Sequence, residues 1–129
     1  MTGEKAHGID GEHIVERLLI YGGWDIIERQ SVAHGHTLDL AAKHPDHDET
    51  LFEVKVWRDP TKVGTDNVKK AIGDAYDLQA AGETRPYVLV LSHELAGLHA
   101  LMLNRAMAAG AIADVWVLAL VPVVRTVLP

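Results

Sequence analysis

The chain is expected to adopt an α/β fold: a mixed central sheet flanked by helices, in the order α-β-β-β-α-β-α-β. Three observations lead there. Apolar residues near the N-terminus recur at helical spacing, the next stretch holds short apolar runs divided by a polar turn, and the second half alternates helical segments with continuous apolar runs. The first half reads as a helix and a hairpin-containing sheet, the second as βαβ crossovers, and together they give a sheet with helices on both faces.

Taking the elements in order, residues 8–21 read as a helix with Ile14, Val15, Leu18 and Leu19 on one face, stopped by Gly22-Gly23. Trp24 to Arg29 is expected as a first strand and Thr37 to Ala42 as a second. The polar turn His44-Pro45-Asp46-His47-Asp48-Glu49 makes strands two and three a hairpin. The third strand covers residues 51–57 and breaks at Asp59-Pro60. Thr65 is placed to cap a helix running to Gly82. Pro86 to Leu91 reads as a buried strand. A helix rich in Ala, Leu and Met follows from Glu94 to Gly110, then a last apolar strand from Asp114 to Val121.

At 129 residues and 48% hydrophobic content the chain can bury one real core, so a single domain over residues 1–129 is expected. With no cysteine, disulfides and thiolate zinc sites are excluded. The segment Met1 to Asp10 is polar, and no run approaches the roughly 20 apolar residues of a membrane span. The expectation is a cytoplasmic protein without membrane association. The net charge of −6 counts against extensive phosphate binding, an objection that weakens if several acids hold metal ions.

The chemistry concentrates in two strand-like runs. Asp39 lies within Thr37-Leu38-Asp39-Leu40-Ala41, and Glu53 and Lys55 lie within Leu51-Phe52-Glu53-Val54-Lys55-Val56-Trp57. Residues two apart on a strand share a face, so Glu53 and Lys55 emerge together while Phe52, Val54 and Val56 point the other way. Charges inside apolar strands are costly unless compensated. Two carboxylates sharing a divalent cation, with an ammonium beside them, supply that compensation and form a hydrolytic site. On the first helix, Glu12 falls at the edge of the apolar sector and Glu16 further toward solvent. The two are an (i, i+4) like-charge pair. The plain alternatives are a same-face ion pair on an exposed sheet for Glu53 and Lys55, and two solvated glutamates on a surface helix.

Gly11-Glu12, Gly23-Trp24-Asp25-Ile26-Ile27-Glu28-Arg29, Gly35-His36-Thr37-Leu38-Asp39-Leu40 and Phe52-Glu53-Val54-Lys55-Val56 together resemble the PD-(D/E)XK nuclease superfamily. This is the restriction-endonuclease-like fold of Holliday-junction resolvases and Mrr-like restriction enzymes. The stretch from Lys62-Val63-Gly64-Thr65 through Ile72-Gly73 to Tyr87-Val88-Leu89-Val90-Leu91 is similar to the Mrr-like branch. The resemblance implies a metal-dependent endonuclease, with DNA favoured as substrate and RNA left open. It implies Mg²⁺, with Mn²⁺ as substitute, held by Asp39, Glu53 and the Val54 carbonyl, with Glu12 as an extra ligand or orienter. Lys55 would position or activate the attacking water. Many such enzymes cut as dimers, so a homodimer is a further expectation.

Around this motif, Arg58, Lys62, Lys69 and Lys70 are candidate phosphate contacts, although Lys70 can instead pair with Asp74 at (i, i+4). Gln79 is a polar residue on the apolar face of its helix, suited either to orient water or phosphate or to bond at the edge of the core. His34, His36, His44 and His47 raise a structural zinc site, but His36 and the His44–His47 pair leave opposite ends of one strand. The last helix is apolar nearly all round, beyond what one buried face requires. Two other functions stay open: a catalytically inactive module that binds nucleic acid or protein and retains the nuclease fold, and a zinc-stabilised interaction protein.

Overall fold

The computed structural model describes residues 3–57 and 65–118, with side chains in the first helix from residue 11 onward. In chain order the elements are α1 (Gly3–Tyr21), β1 (Asp25–Ala33), β2 (His36–Lys43), β3 (Thr50–Lys55), α2 (Thr65–Ala80), β4 (Tyr87–Leu91), α3 (Gly97–Ala108) and β5 (Asp114–Val117). The strands form one sheet in the order β1-β2-β3-β4-β5. β1, β2 and β3 are antiparallel neighbours, and β3, β4 and β5 run parallel. The expected order and mixed sheet are both present.

Alternation along the strands sorts the core into two layers. Phe52 and Val54 join Leu40, Ala42, Val88 and Val90 beneath Val15 and Leu19 of α1. On the opposite face Leu51, Leu89 and Leu91 pack against Val68, Ala71, Ile72 and Ala75 of α2 and Leu103 and Ala106 of α3. The all-apolar β4, buried at every position, is what a central parallel strand covered on both faces requires. Among the described residues, no helix is long and apolar enough to cross a membrane.

Several boundaries depart from expectation for identifiable reasons. The Gly22-Gly23 stop closes α1: with Gly23 at φ 93, the N–H of Trp24 donates to the Leu19 carbonyl at 2.9 Å and that of Gly23 to Ile20 at 3.1 Å. β1 runs on to Ala33 because His34 (φ 50) and Gly35 (φ 84) form a two-residue turn that pairs Ala33 with His36. Positive φ at both central positions is the twist-matched hairpin turn, here with histidine in the place usually taken by Asn or Asp. Leu18, expected in the apolar sector of α1, is half exposed. Strand β3 ends at Lys55, where the Trp57 N–H turns to the Ser92 hydroxyl at 2.8 Å. α3 starts at Gly97, and of the last expected strand the part past residue 118 lies outside the described residues. The apolar excess of α3 is surface: Leu98, Leu101 and Met107 are exposed.

Gly11 sets how closely α1 approaches the sheet. A Cβ there would sit 2.5 Å from Val56 Cγ2 and 2.8 Å from Val56 Cβ, closer than carbon atoms pack. Gly11→Ala is therefore expected to push α1 outward. Overpacking costs about 1–3 kcal/mol, and better helix propensity offsets up to about 1 kcal/mol of it. The expected outcome is a lower midpoint in denaturant melts; an unchanged or raised midpoint would show that the helix adjusts freely.

Candidate functional site

The β2–β3 ladder opens where the acids stand. Its pairs run Ala42↔Thr50, Ala41↔Leu51 and Leu40↔Phe52, and the next position in register would oppose Asp39 to Glu53. Side chains replace the ladder there. The Val54 N–H donates to Asp39 Oδ2 at 2.7 Å, and the Asp39 N–H donates to Glu53 Oε1 at 3.3 Å. Each carboxylate thus satisfies a backbone donor that the separating strands would otherwise orphan. Meanwhile β3 stays paired to β4 as far as Lys55↔Leu91, which keeps Glu53 and Lys55 on a rigid strand.

Four predicted side chains meet at this opening. Lys55 Nζ lies 3.4 Å from Glu53 Oε2, as the two-residue spacing requires. Asp39 also raises the pKa of Glu53 and of Glu12, the latter delivered by α1, so the three carboxyls stand close enough to feel one another. Glu53, only 7% exposed, is pushed up to about 7, chiefly by burial, then by the proximity of Asp39; Lys55 partly opposes the rise. Glu12 is pushed up to about 8, again by burial first, then by the proximity of Asp39, with Gln30 acting the other way.

In donor chemistry this is a set of oxygen ligands suited to a hard divalent cation. Among the described residues no three His, Cys, Asp or Glu side chains stand ready in an arrangement that could hold a metal ion. Burial and crowding hold Glu12 and Glu53 toward their protonated forms, so an entering cation would compete with protons for these carboxyls.

A pH dependence follows. Groups with raised pKa values stabilise the native state fully below their unfolded values near 4.5, and that contribution is lost as pH rises through about 7 for Glu53 and about 8 for Glu12. Glu83 works oppositely. The hydrogen bonds from Arg85 hold it down at about 2, so its contribution is present above 4.5 and lost as pH falls toward 2. Metal-free protein should therefore melt highest near pH 5 and progressively lower toward pH 9. Millimolar Mg²⁺ or Mn²⁺ should raise the melting temperature, most at the alkaline end, because the cation competes with protons for the native site. A Tm that rises steadily from pH 5 to 9 without metal would contradict the site's electrostatics.

The remaining predicted residues separate. Lys69 is exposed on α2, and Lys70 is paired with Asp74 at 3.3 Å, as the (i, i+4) spacing suggested. Gln79 is occupied elsewhere, because its Nε2 donates to the Ala109 carbonyl at 2.8 Å and ties the last turn of α2 to the end of α3. That turn lies at the end of the sheet where β4 begins, away from Lys55, and the bond is the core-edge role that the sequence left open beside substrate contact. Arg58 and Lys62 lie outside the described residues.

His34, His36, His44 and His47 fall into two separate groups, and among the described residues no cluster that could hold zinc is present. His36 contacts Asp77 (2.6 Å) and Asp74 (3.4 Å), and His34 stands 3.6 Å from Glu83, which pins the β1–β2 turn to α2 and the loop after it. His47 stacks on Trp24 at the other end of β2, with His44 alongside. A surface cavity of about 570 Å³ also lies at that end, lined by Trp24, Lys43, His47, Thr50 and Trp116, and shares no residue with the acid cluster.

Two neighbours of the site have no signature in the sequence. Gln30, on the part of β1 that the sequence did not assign to a strand, stands opposite Asp39 between the pairs Arg29↔Leu40 and Ser31↔Leu38. Ser92, just past β4, donates its N–H to the Lys55 carbonyl at 3.1 Å, while its hydroxyl accepts from Trp57 N–H and contacts His93 Nδ1 at 2.8 Å. Only the parallel β3–β4 register reveals this position.

No family model matches the chain, and no curated protein matches it by sequence. Solved structures do. EndoMS in complex with double-stranded DNA superposes with a TM-score of 0.54 at 17% identity, over 92% of this chain and 45% of that one. SfsA of Pyrococcus furiosus in complex with Ca²⁺ gives 0.47 at 21% identity, over 88% of this chain and 55% of that one. The chain thus spans about half the length of each. The likeness to EndoMS shows that the fold is nuclease-like.

Proposed function

We propose that this chain is a divalent-metal-dependent phosphodiesterase of the PD-(D/E)XK type that cuts DNA. The observation that carries the reading is the convergence of Glu12, Asp39 and Glu53 with Lys55 at the point where β2 and β3 part. A half-buried acid cluster with one ammonium is costly as a purely structural device, since like charges are crowded together partly out of water. It becomes functional when a cation is its partner.

In this reading Asp39, Glu53 and the Val54 carbonyl hold Mg²⁺, or Mn²⁺ in its place, and Glu12 completes or orients the set. The bound cation supplies Lewis acidity toward a phosphate oxygen and lowers the pKa of a water. Lys55, held against Glu53, presents a half-buried positive charge beside the scissile phosphate and steadies the negative charge that develops there. Rigid β3 fixes Glu53 and Lys55 relative to each other, so neither must be reordered when substrate arrives. Lys69, together with Arg58 and Lys62, would contact the DNA backbone. DNA is favoured over RNA because EndoMS, which shares the fold, is bound to double-stranded DNA. The exposed Leu98, Leu101 and Met107 of α3 offer a surface for a second copy, a dimer that light scattering would detect.

One observation favours a second reading, a nuclease fold that binds without cutting. Net charge is −6, and Arg29, Lys70 and Arg85 are each taken up by a carboxylate. The deciding experiment is a nuclease assay with Mg²⁺ and Mn²⁺ over duplex, single-stranded and branched DNA and RNA. Metal-dependent cleavage supports the first reading; binding to the same substrates without cleavage supports the second.

A further inference from the structure

The acid cluster leaves the cavity of about 570 Å³ at the other end of β2 without a role. Its size falls within the roughly 300–1,000 Å³ of small-molecule sites and far exceeds what a bare ion needs. Trp24 and Trp116 form a corner of its wall, with ring planes at 68° and centroids 6.3 Å apart. The closure of α1 delivers Trp24 immediately before β1, and β5 pairs Trp116 with Val90 on the α1 side of the sheet. Large rings at a sheet end often do no more than finish the core. Here both indoles are only half-buried, and what the core leaves uncovered borders the cavity.

The wall is built before any ligand arrives. Lys43 Nζ donates to the carbonyls of His44 and His47, and the Asp46 N–H donates to His44 Nδ1 at 3.0 Å. The His47 N–H donates to the His44 carbonyl at 3.1 Å, and the His47 ring stacks on Trp24 with planes 1° apart. The β2–β3 turn is thereby fixed beside the cavity. Trp116 Nε1 donates to Asp114 Oδ2 at 2.9 Å, which holds the ring and commits its N–H, so the π-surface is what this indole has left to offer. A preformed concave wall loses little ordering entropy on binding.

Charge selects the ligand. The lining carries three carboxylates, Asp46, Asp48 and Asp114, against one ammonium, Lys43, which the turn carbonyls already engage. Among the described residues no lysine or arginine pairs with any of the three. A phosphate or nucleotide would be repelled, whereas a cation is attracted both by the carboxylates and by the negative faces of the indoles. Guanidinium suits this combination better than an ammonium does. It is planar and weakly hydrated, stacks on aromatic faces and presents a fork of donors to carboxylates, while an ammonium is compact and strongly hydrated. We infer that the cavity is a binding site for a guanidinium group, carried by a free arginine-like compound or by an arginine side chain of a partner protein. The site shares no residue with the acid cluster and stands or falls independently of the phosphodiesterase reading.

The test titrates the full chain with N-acetyl-arginine amide and follows the three tryptophan indole N–H resonances in ¹H–¹⁵N spectra. Those of Trp24 and Trp116 should move saturably, while that of Trp57, packed in the opposite layer, should stay. One indole stack and two partly exposed carboxylates support a Kd on the order of 1 mM. N-acetyl-citrulline amide keeps the shape and loses the charge, and it should bind at least about 10-fold more weakly. Asp46→Asn combined with Asp48→Asn, both at exposed turn positions, should weaken arginine binding by about fivefold without lowering the melting midpoint. Two further ligands separate the sources: tighter binding of a glycine-flanked arginine peptide assigns a partner's side chain, and tighter binding of free arginine assigns a small molecule. Equal binding of the citrulline analogue, undiminished binding in the doubly substituted chain, or tighter binding of deoxyadenosine monophosphate than of arginine overturns the inference. So do Trp24 and Trp116 resonances that stay unmoved up to about 20 mM ligand, well above the expected Kd.

Discussion

Asp39→Asn is expected to abolish Mg²⁺-dependent cleavage, by at least about 10³-fold, since losing a ligand of the ion removes several kcal/mol of charge stabilisation in the transition state. The same change should make the metal-free protein more stable above pH 7. Asp39 raises Glu12 and Glu53 by its proximity, so without its charge both ionise at lower pH and the alkaline loss of stability shrinks. Asparagine keeps a carbonyl oxygen for the Val54 N–H, which now donates to Asp39 Oδ2 at 2.7 Å. Alanine does not. Asp39→Ala should give the same catalytic loss but sacrifice that acceptor, at about 1–3 kcal/mol for an unpaired, partly buried N–H. The two variants therefore separate charge from structure: equally inactive, yet with Asn melting above Ala in the absence of metal. If Asp39→Asn cleaves at more than a tenth of the wild-type rate, Asp39 is not a ligand, and a melt unchanged from wild type at pH 8 denies the repulsion.

Much of the site was legible because strand periodicity is rigid. The alternation around Phe52-Glu53-Val54-Lys55 is enough to put Glu53 and Lys55 on one face and Phe52 and Val54 in the α1 layer, and the structure has them so. The polar turn at residues 44–49 is enough to pair β2 with β3, which brings Asp39 opposite Glu53. Glu12 was harder. Its helical sector predicts only that it borders the apolar face; the reach to Asp39 depends on how closely Gly11 lets α1 lie against Val56, a packing fact with no sequence signature of its own.

Three features were hidden for different reasons. The extension of β1 to Ala33 depends on His34 accepting a positive φ, which local preference assigns to Gly, Asn or Asp first. The left-handed turn at Gln30 (φ 51) leaves no trace in composition, because glutamine is not a residue chosen for that conformation. Amphipathicity left two roles open for Gln79. A polar residue on an apolar stripe can serve a site or a neighbouring backbone, and only the position of Ala109 at the end of α3 distinguishes them. The helical periodicity of α1 also overstated burial at Leu18, since the sheet beneath covers a narrower stripe, around Val15 and Leu19, than the apolar sector offers.

Lys55→Ala should slow cleavage by about 10²-fold or more while leaving fold and substrate binding nearly intact, the scale of losing one positioned acid–base or electrostatic group. The structure sharpens how this must be measured. Lys55 lies 3.4 Å from Glu53 and is one of the influences that hold the Glu53 carboxyl down; without it Glu53 keeps its proton to higher pH. At pH 7 the variant would therefore bind metal more weakly for a reason unrelated to chemistry. The comparison belongs near pH 8.5, at saturating metal and under single-turnover conditions, where ligand protonation no longer limits. Lys55→Met, which keeps most of the aliphatic stem, controls for packing and should be as slow as Ala. A simple ion pair predicts something else: a loss of about 0.2–1 kcal/mol in stability, nothing specific in rate, and recovery of any activity deficit at high metal. Should Lys55→Ala cleave at the wild-type rate under those conditions, Lys55 is a structural partner of Glu53 and the chemistry belongs to the cation and its carboxylates alone.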